Sequence, residues 1–170
     1  MATIVYLTQN ITEITNGLIA HGVNCQGVMG SGVAKDLRDA WPRVFSVYKD
    51  FCDAHAKLNP GASKADMLGD TITAEVQRNE RGTVYVMNAF TQENYGRDGK
   101  VYASLAAVRT ILTSAVQMAV ALHTSLHIPR IGCGLGGLSW DKDVYPALLE
   151  ALAVDNVEGL DVFVYDKPVV

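Results

Sequence analysis

The stretch HGVNCQGVMGSGVA, residues 21–34, places Gly27, Gly30 and Gly32 between a strand-like run and a run with helical spacing. The stretch PRIGCGLGGLSW, residues 129–140, repeats this arrangement with four glycines. Seven of the 15 glycines therefore lie in two six-residue windows, 27–32 and 132–137. Each window follows a predicted strand and precedes a predicted helix. In an α/β sheet, both loops would lie beyond the carboxyl ends of strands, where ligands bind.

The two glycine loops have the chemistry of an anion site. Glycine lets backbone N–H groups approach an anion closely, and a helix N-terminus adds favourable partial charge. Two such loops at equivalent places predict a site for two linked phosphates; the alternative is two tight turns. The run 132–137 also satisfies G-x-G-x-x-G. Only about one βα unit follows it, which is too little chain for a Rossmann fold.

Strands alternate with helices along the chain. Helical spacing covers 34–52, 105–122 and 144–152, and Pro42 is expected to split the first of these segments. No helix separates the third and fourth strands, so we expect that pair to be antiparallel and the sheet to be mixed. Short apolar, β-branched runs predict six strands, at Thr3–Leu7, Gly17–His21, Asp70–Glu75, Thr83–Asn88, Ser125–Ile131 and Gly159–Tyr165.

Composition limits the class of protein. The chain has 170 residues, of which 49% are hydrophobic and 19% are charged, so we expect one globular domain over residues 1–170. The net charge is −4 and no segment concentrates Lys and Arg, which argues against a nucleic-acid duplex as the main partner. Three cysteines without zinc-ligand spacing indicate neither a disulfide framework nor a metal site. No apolar run approaches the ~20 residues of a membrane span, so we expect a cytoplasmic protein without a membrane partner.

At the two glycine loops the sequence resembles a macro domain, the α/β module that binds ADP-ribose. It is most similar to the branch that contains the terminal ADP-ribose protein glycohydrolase and the yeast-type ADP-ribose-1″-phosphate phosphatases. The order of predicted strands and helices fits over nearly the whole chain. The resemblance implies a three-layer α/β/α fold with a six-stranded mixed sheet, and a cleft that holds ADP-ribose in an extended shape.

The resemblance also implies roles for individual residues. Asn24 matches the asparagine at the distal ribose. Asn10 replaces an aspartate that usually accepts from the exocyclic amine of adenine, and its neutral oxygen predicts weaker selectivity. The remaining implied ligand-binding residues are Gln9 and Ile11 at adenine, Gly30, Ser31, Gly32, Val33 and Ala34 in the first diphosphate loop, Gly132, Cys133, Gly134, Leu135 and Gly136 in the second, Thr91 at the cleft edge and Trp140 beside the distal ribose.

Two positions depart from the glycohydrolase of this branch. That enzyme has a lysine after the threonine that follows strand four, and here the pair is Thr91-Gln92. It also has an aspartate in the second loop, where this chain has Gly136. A covalent route through a lysine nucleophile and its carboxylate partner is therefore not expected here.

Three residues are candidates for chemistry. His21 would act as general acid or base near the distal ribose; the alternative is a structural histidine hydrogen-bonded beneath the loop. Gln92 would position a water or a phosphate oxygen, and Asn24 is a candidate through its implied place at the distal ribose. Cys133 has no arginine six positions later, because Ser139 stands there, so a tyrosine-phosphatase-like nucleophile is not expected. Trp140 can pack either on the ribose or in the core.

These features predict a protein that binds ADP-ribose and hydrolyses ADP-ribose 1″-phosphate to ADP-ribose and phosphate. No metal and no cofactor is expected, because backbone N–H groups and helix ends meet the diphosphate charge. One alternative is a non-catalytic reader of ADP-ribose or of ADP-ribosylated protein. Another is a hydrolase that removes ADP-ribose from acidic side chains by a route without lysine.

Overall fold

The computed structural model describes residues 1–169 and shows three layers. A six-stranded mixed sheet has the order β1-β6-β5-β2-β4-β3, and only β3 runs antiparallel to its neighbour. The expected α/β/α fold is confirmed, including the antiparallel β3–β4 pair. The strands are β1 Thr3–Thr8, β2 Gly17–Asn24, β3 Thr71–Asn79, β4 Gly82–Gln92, β5 Leu126–Pro129 and β6 Asp161–Asp166.

Four helices cover the two faces of this sheet. They are α1 Gly32–Ala40, α2 Pro42–Leu58, α3 Leu105–Ala121 and α4 Tyr145–Leu152. Pro42 stands at the start of α2 and separates it from α1, as its missing N–H predicts. Within residues 1–169, no helix is long and apolar enough to cross a membrane.

Each face of the sheet has its own apolar core. On one side, buried residues of α1 and α2 such as Leu37 and Tyr48 pack against Ile19 and Phe90 of the sheet. On the other side, the apolar stripe of α3 and the inner face of α4 pack against β2, β5 and β6. Packing between the two cores holds β2, β4 and β5 so that their carboxyl ends lie on the same side of the sheet. The two glycine loops follow β2 and β5 on that side.

Two segments differ from the sequence prediction. The predicted strand over Gly17–His21 continues to Asn24, where β2 pairs with Gln92 of β4 after a register shift. Gly22 lies within this strand and pairs with Ala89 of β4, and the position favours glycine because a Cβ there would lie 2.6 Å from the hydroxyl oxygen of Thr91. A π-helical turn over Trp140–Val144, which the sequence did not predict, leads directly into α4. The other boundaries shift by a few residues, most of all in β3 and β4, which are longer than predicted.

Candidate functional site

Two adjoining cavities lie along the carboxyl edge of the parallel strands. The larger has a volume of about 600 Å³ and the smaller about 280 Å³. Val33 and Pro129 belong to the walls of both, so the cavities meet between the first glycine loop and the end of β5. An elongated ligand could therefore occupy both.

The smaller cavity lies beside the ends of β1 and β6. Gln9, Asn10 and Ile11 form part of its wall, where the sequence predicted an adenine site. Asp36 and Lys167 also line it, and the Lys167 ammonium donates a hydrogen bond of 2.8 Å to the Asp36 carboxylate. Neither residue of this pair was predicted from the sequence. Asp36 follows Val33 by three positions on a helix, and that spacing places both side chains on one face.

The larger cavity brings most of the predicted residues together. Its wall contains both glycine loops, the end of β2 and the segment that follows β4. The predicted residues that line it are His21, Asn24, Gly30, Ser31, Gly32, Val33, Ala34, Thr91, Gln92, Gly132, Cys133, Gly134, Leu135 and Gly136.

The first glycine loop ends at the N-terminus of α1. Gly32 has a φ of +62°, a left-handed conformation that favours glycine, and no atom lies within 4 Å of where a Cβ would stand. Ser31 precedes the helix, and its side chain makes no capping hydrogen bond. The first-turn N–H groups of the helix have no carbonyl one turn earlier to accept them. They are therefore available to an anion in the cavity.

The second glycine loop forms a 3₁₀ turn over Gly134–Gly136. Gly134 has a φ of +63°, and a Cβ there would likewise meet no atom within 4 Å. Within the same loop, the Cys133 thiol donates to the carbonyl of Ile131 at 3.7 Å. Burial raises the pKa of this thiol, so Cys133 stays protonated near neutral pH and is a poor nucleophile.

His21 is only 1% exposed and is bound to the neighbouring strand. Its Nε2 lies 2.6 Å from the Oδ1 of Asn88, while the Nδ2 of Asn88 donates to the Val44 carbonyl. Asn88 therefore accepts from a protonated Nε2, and the lone pair of His21 is on Nδ1. This buried Nδ1 has no hydrogen-bond partner. Burial lowers the pKa of His21 to about 4, against the smaller raising effect of the Asn88 bond, so the ring is neutral at pH 7.

The side chain of Asn24 is hydrogen-bonded to the loop that follows β2. Its Oδ1 accepts from the Gln26 backbone N–H at 2.9 Å and from the Tyr48 hydroxyl at 2.9 Å. Its Nδ2 donates to the Val28 carbonyl at 2.8 Å. One Nδ2 hydrogen is left for a ligand, so Asn24 can orient a ribose but has no spare acceptor to activate a water.

The two positions that depart from the glycohydrolase branch are neighbours in space. A Cβ at Gly136 would lie 3.5 Å from the Oε1 of Gln92. The Nε2 of Gln92 is bound to the Asn94 carbonyl at 2.8 Å, which leaves Oε1 as the free end of the amide. A neutral amide beside a glycine replaces the expected lysine and aspartate, and it can accept a hydrogen bond but cannot form an imine.

Arg130 and Arg97 line the larger cavity and were missed by the sequence analysis. The guanidinium of Arg130 donates two hydrogen bonds to the carboxylate of Asp166, with N–O distances of 2.8 and 3.0 Å. This contact lowers the pKa of Asp166. No spacing in the sequence links a residue after β4 to one after β5, so only the fold brings these two cations to one cavity.

Trp140 is not part of either cavity wall. It is 7% exposed and stacks on Tyr145, with ring centroids 6.3 Å apart. Its indole N–H donates to the Tyr6 hydroxyl at 3.3 Å. Of the two placements predicted for Trp140, the structure shows the second: the side chain packs in the core and not in a cavity wall.

Comparisons with known proteins agree with this architecture. Residues 20–145 match the Macro domain family. An ADP-ribose 1″-phosphate phosphatase from Debaryomyces hansenii is 27% identical over 143 residues, covering 73% of this chain and 77% of that protein. A DNA ADP-ribosyl glycohydrolase from Mycobacterium tuberculosis is 22% identical over 174 residues, covering 92% of this chain but 46% of that protein.

A solved structure gives the same result. A macrodomain protein from Streptomyces coelicolor superposes with a TM-score of 0.72 at 27% identity, covering 96% of this chain and 98% of that one. The match to the family spans most of the chain and includes both glycine loops, β4 and α3. The chain belongs to the macro domain family.

Proposed function

We propose that this chain binds ADP-ribose across the two cavities and hydrolyses ADP-ribose 1″-phosphate. The order of features along the sheet edge carries the proposal. The smaller cavity lies at β1 and β6, the glycine loops follow β5 and β2, and Gln92 ends β4. Nucleobase, diphosphate and distal ribose occur in that order in ADP-ribose.

The diphosphate would lie between the two glycine loops. Backbone N–H groups from the first turn of α1 and from the 134–136 turn are the donors. Gly32 and Gly134 leave open space where other residues would carry a side chain. The charge of two phosphates is thus met by fixed dipoles, and binding requires no metal ion.

At the distal end, neutral side chains would position the attacking water. The lone pair on Nδ1 of His21 accepts a hydrogen bond from one O–H of this water, and the Oε1 of Gln92 can accept a hydrogen bond from the other. The water oxygen attacks phosphorus and the bond from phosphorus to the 1″ oxygen breaks. One proton of the attacking water passes to the 1″ oxygen, so that ADP-ribose leaves with a 1″ hydroxyl and the phosphoryl group leaves as inorganic phosphate. The lowered pKa of His21 favours an accepting role over the general-acid role, because no imidazolium is present at pH 7 to donate a proton.

Some of the relatives support release of phosphate, and the residues at the distal end argue against lysine-dependent removal of ADP-ribose from acidic side chains. Three yeast proteins that are 23–27% identical to this chain are named ADP-ribose 1″-phosphate phosphatases. The lysine route to deacylation lacks both of its groups, because Gln92 and Gly136 occupy those places. A second candidate is removal of ADP-ribose from nucleic acid, which the glycohydrolase relatives favour.

Release of inorganic phosphate from ADP-ribose 1″-phosphate tests the proposal. The Gly32→Glu variant, purified in the same way, reports any contaminating phosphatase. Turnover by the wild-type protein and none by the variant is expected. Binding of ADP-ribose without any phosphate release would leave a reader, and release of ADP-ribose from a modified oligonucleotide instead would favour the second candidate.

A further inference from the structure

The larger cavity has two arginines in its wall with different surroundings. Arg130 is already neutralised by the forked contact with Asp166, and its guanidinium carbon lies 5.4 Å and 5.3 Å from the ring centroids of Tyr6 and Trp140. Arg97 makes no salt bridge and no side-chain hydrogen bond to any of residues 1–169. It is therefore the cation of the wall whose charge is left for a ligand.

The carboxylate closest in sequence to Arg97 is already engaged. Asp98 accepts from the Tyr102 hydroxyl at 2.8 Å and from the Lys100 backbone N–H at 3.2 Å, and the Lys100 ammonium lies 3.5 Å away. The Tyr102 bond, followed by the Lys100 N–H, lowers the pKa of Asp98 and keeps it ionised. Asp98 and Lys100 thus compensate each other and leave Arg97 uncompensated.

The loop that carries Arg97 is attached to the site at both ends. At its start, the backbone N–H of Cys25 donates to the carbonyls of Gln92 and Glu93. At its end, the backbone N–H groups of Tyr102 and Ala103 both donate to the carbonyl of Gly136, at 3.0 Å. The loop is therefore connected to β2 on one side and to the second glycine loop on the other.

Sheet order places Arg97 at a defined end of the cleft. The smaller cavity is beside β1 and β6, whereas Arg97 follows β4, on the other side of β5 and β2. A ligand with its nucleobase in the smaller cavity and its diphosphate at the glycine loops has its 1″ carbon towards β4. Arg97 therefore lies at the end of the cleft that would hold the 1″ position, where ADP-ribose and ADP-ribose 1″-phosphate differ.

We propose that Arg97 selects a phosphate dianion at the 1″ position over a free hydroxyl. This inference rests on the proposed function, and it adds the residue that distinguishes substrate from product. A guanidinium matches two phosphate oxygens in a fork, and such charge-assisted bonds are among the strongest that an exposed side chain forms. Free ADP-ribose has only a neutral hydroxyl there and gains little from Arg97. Product release follows once the phosphate has left.

Binding and turnover by Arg97→Gln, Arg97→Lys and Lys100→Gln test this assignment. Lys100 is the matched control, because it is a cation of the same loop that is paired with Asp98 and does not line the cavity. For Arg97→Gln we expect the KM for ADP-ribose 1″-phosphate to rise about 10-fold or more, with a change of less than about 3-fold in the Kd for ADP-ribose. Arg97→Lys should recover part of the loss, and Lys100→Gln should behave as wild type.

Three results would overturn the role of Arg97. They are equal losses for both ligands in Arg97→Gln, an equal effect of Lys100→Gln, or no preference of the wild-type protein for the 1″-phosphate. If wild-type protein does not turn over, calorimetric Kd values for the two ligands replace KM. In that case the proposed hydrolysis fails, while a preference for the 1″-phosphate that disappears in Arg97→Gln still supports the assignment.

Discussion

His21 and Asn88 are partners in adjacent parallel strands and share a hydrogen bond of 2.6 Å between Nε2 and Oδ1. Asn88 is itself held by the carbonyl of Val44 at the start of α2. This chain of bonds fixes the imidazole tautomer and leaves the lone pair on Nδ1. The residue proposed to bind the attacking water is therefore oriented by the sheet rather than by the loop.

His21→Ala should lower phosphate release from ADP-ribose 1″-phosphate by about 10²-fold, the usual effect of losing a proton acceptor. ADP-ribose affinity should change far less, because in the proposed binding mode the glycine loops carry most of the binding. The matched control is His127→Ala, which also removes a buried histidine but one outside both cavity walls. Rates at saturating substrate, ADP-ribose affinities and melting temperatures distinguish a role of His21 in turnover from a purely structural role. A stable His21→Ala protein with an unchanged rate would exclude the role.

The free energy of unfolding should decrease as the pH falls from about 6.5 to about 4. Burial lowers the pKa values of His21 and His127 from 6.5 to about 4. Between these values the unfolded chain binds protons that the folded chain does not, so stability rises with pH. Each histidine accounts for about 3 kcal/mol over this interval. Urea unfolding at pH 7 and pH 5 measures the loss, and His127→Gln should reduce it; an identical pH dependence in the variant would contradict the assignment.

Gly32→Glu should abolish ADP-ribose binding in a protein that still folds. The new carboxylate would enter space shaped for phosphate, so both sterics and charge oppose the ligand. Gly61→Glu is the matched control, because Gly61 also has a positive φ and open space at its Cβ position but lies outside both cavities. Calorimetry should show normal binding for the control. Retained affinity in Gly32→Glu would show that the first loop does not hold the diphosphate.

Asn10→Asp should sharpen selectivity for adenine. A carboxylate accepts from the exocyclic amine more strongly than an amide oxygen does, so we expect about a 3- to 10-fold gain for ADP-ribose. The hypoxanthine analogue, which has no amine, should not gain. Thr12→Asp adds the same charge to the same cavity wall and serves as the control. Equal gains for both nucleobases would exclude Asn10 from base recognition.

Much of the fold could be predicted from local pattern. Pro42 marked the break between α1 and α2, and the missing helix between β3 and β4 marked the antiparallel pair. The end of β2 could not be predicted, because Gly22 resembles a loop residue. The position favours glycine because a Cβ would clash with the Thr91 hydroxyl on the adjacent strand, and this contact exists only in the folded sheet.

The parts of the site that consist of backbone could be predicted from the sequence. The charged side chains that line it could not. Both glycine loops lie in the cavity walls because strand-to-helix turns place them there. Charged side chains are harder to place from the sequence: on α1, Asp36 and Asp39 line the smaller cavity whereas Lys35 does not, and Arg97 lies in a loop without periodicity. Whether such a side chain faces a cavity depends on strand order, which local spacing does not encode.

A calorimetric titration of the wild-type protein with ADP-ribose, AMP and ribose 5-phosphate tests the central claim most directly. AMP can fill the smaller cavity and one phosphate position, and ribose 5-phosphate can fill only part of the larger cavity. In the proposed binding mode only ADP-ribose reaches both cavities and both loops, so its Kd should be at least about 10-fold lower than either of the others. Equal Kd values for AMP and ADP-ribose would contradict the account of one continuous cleft.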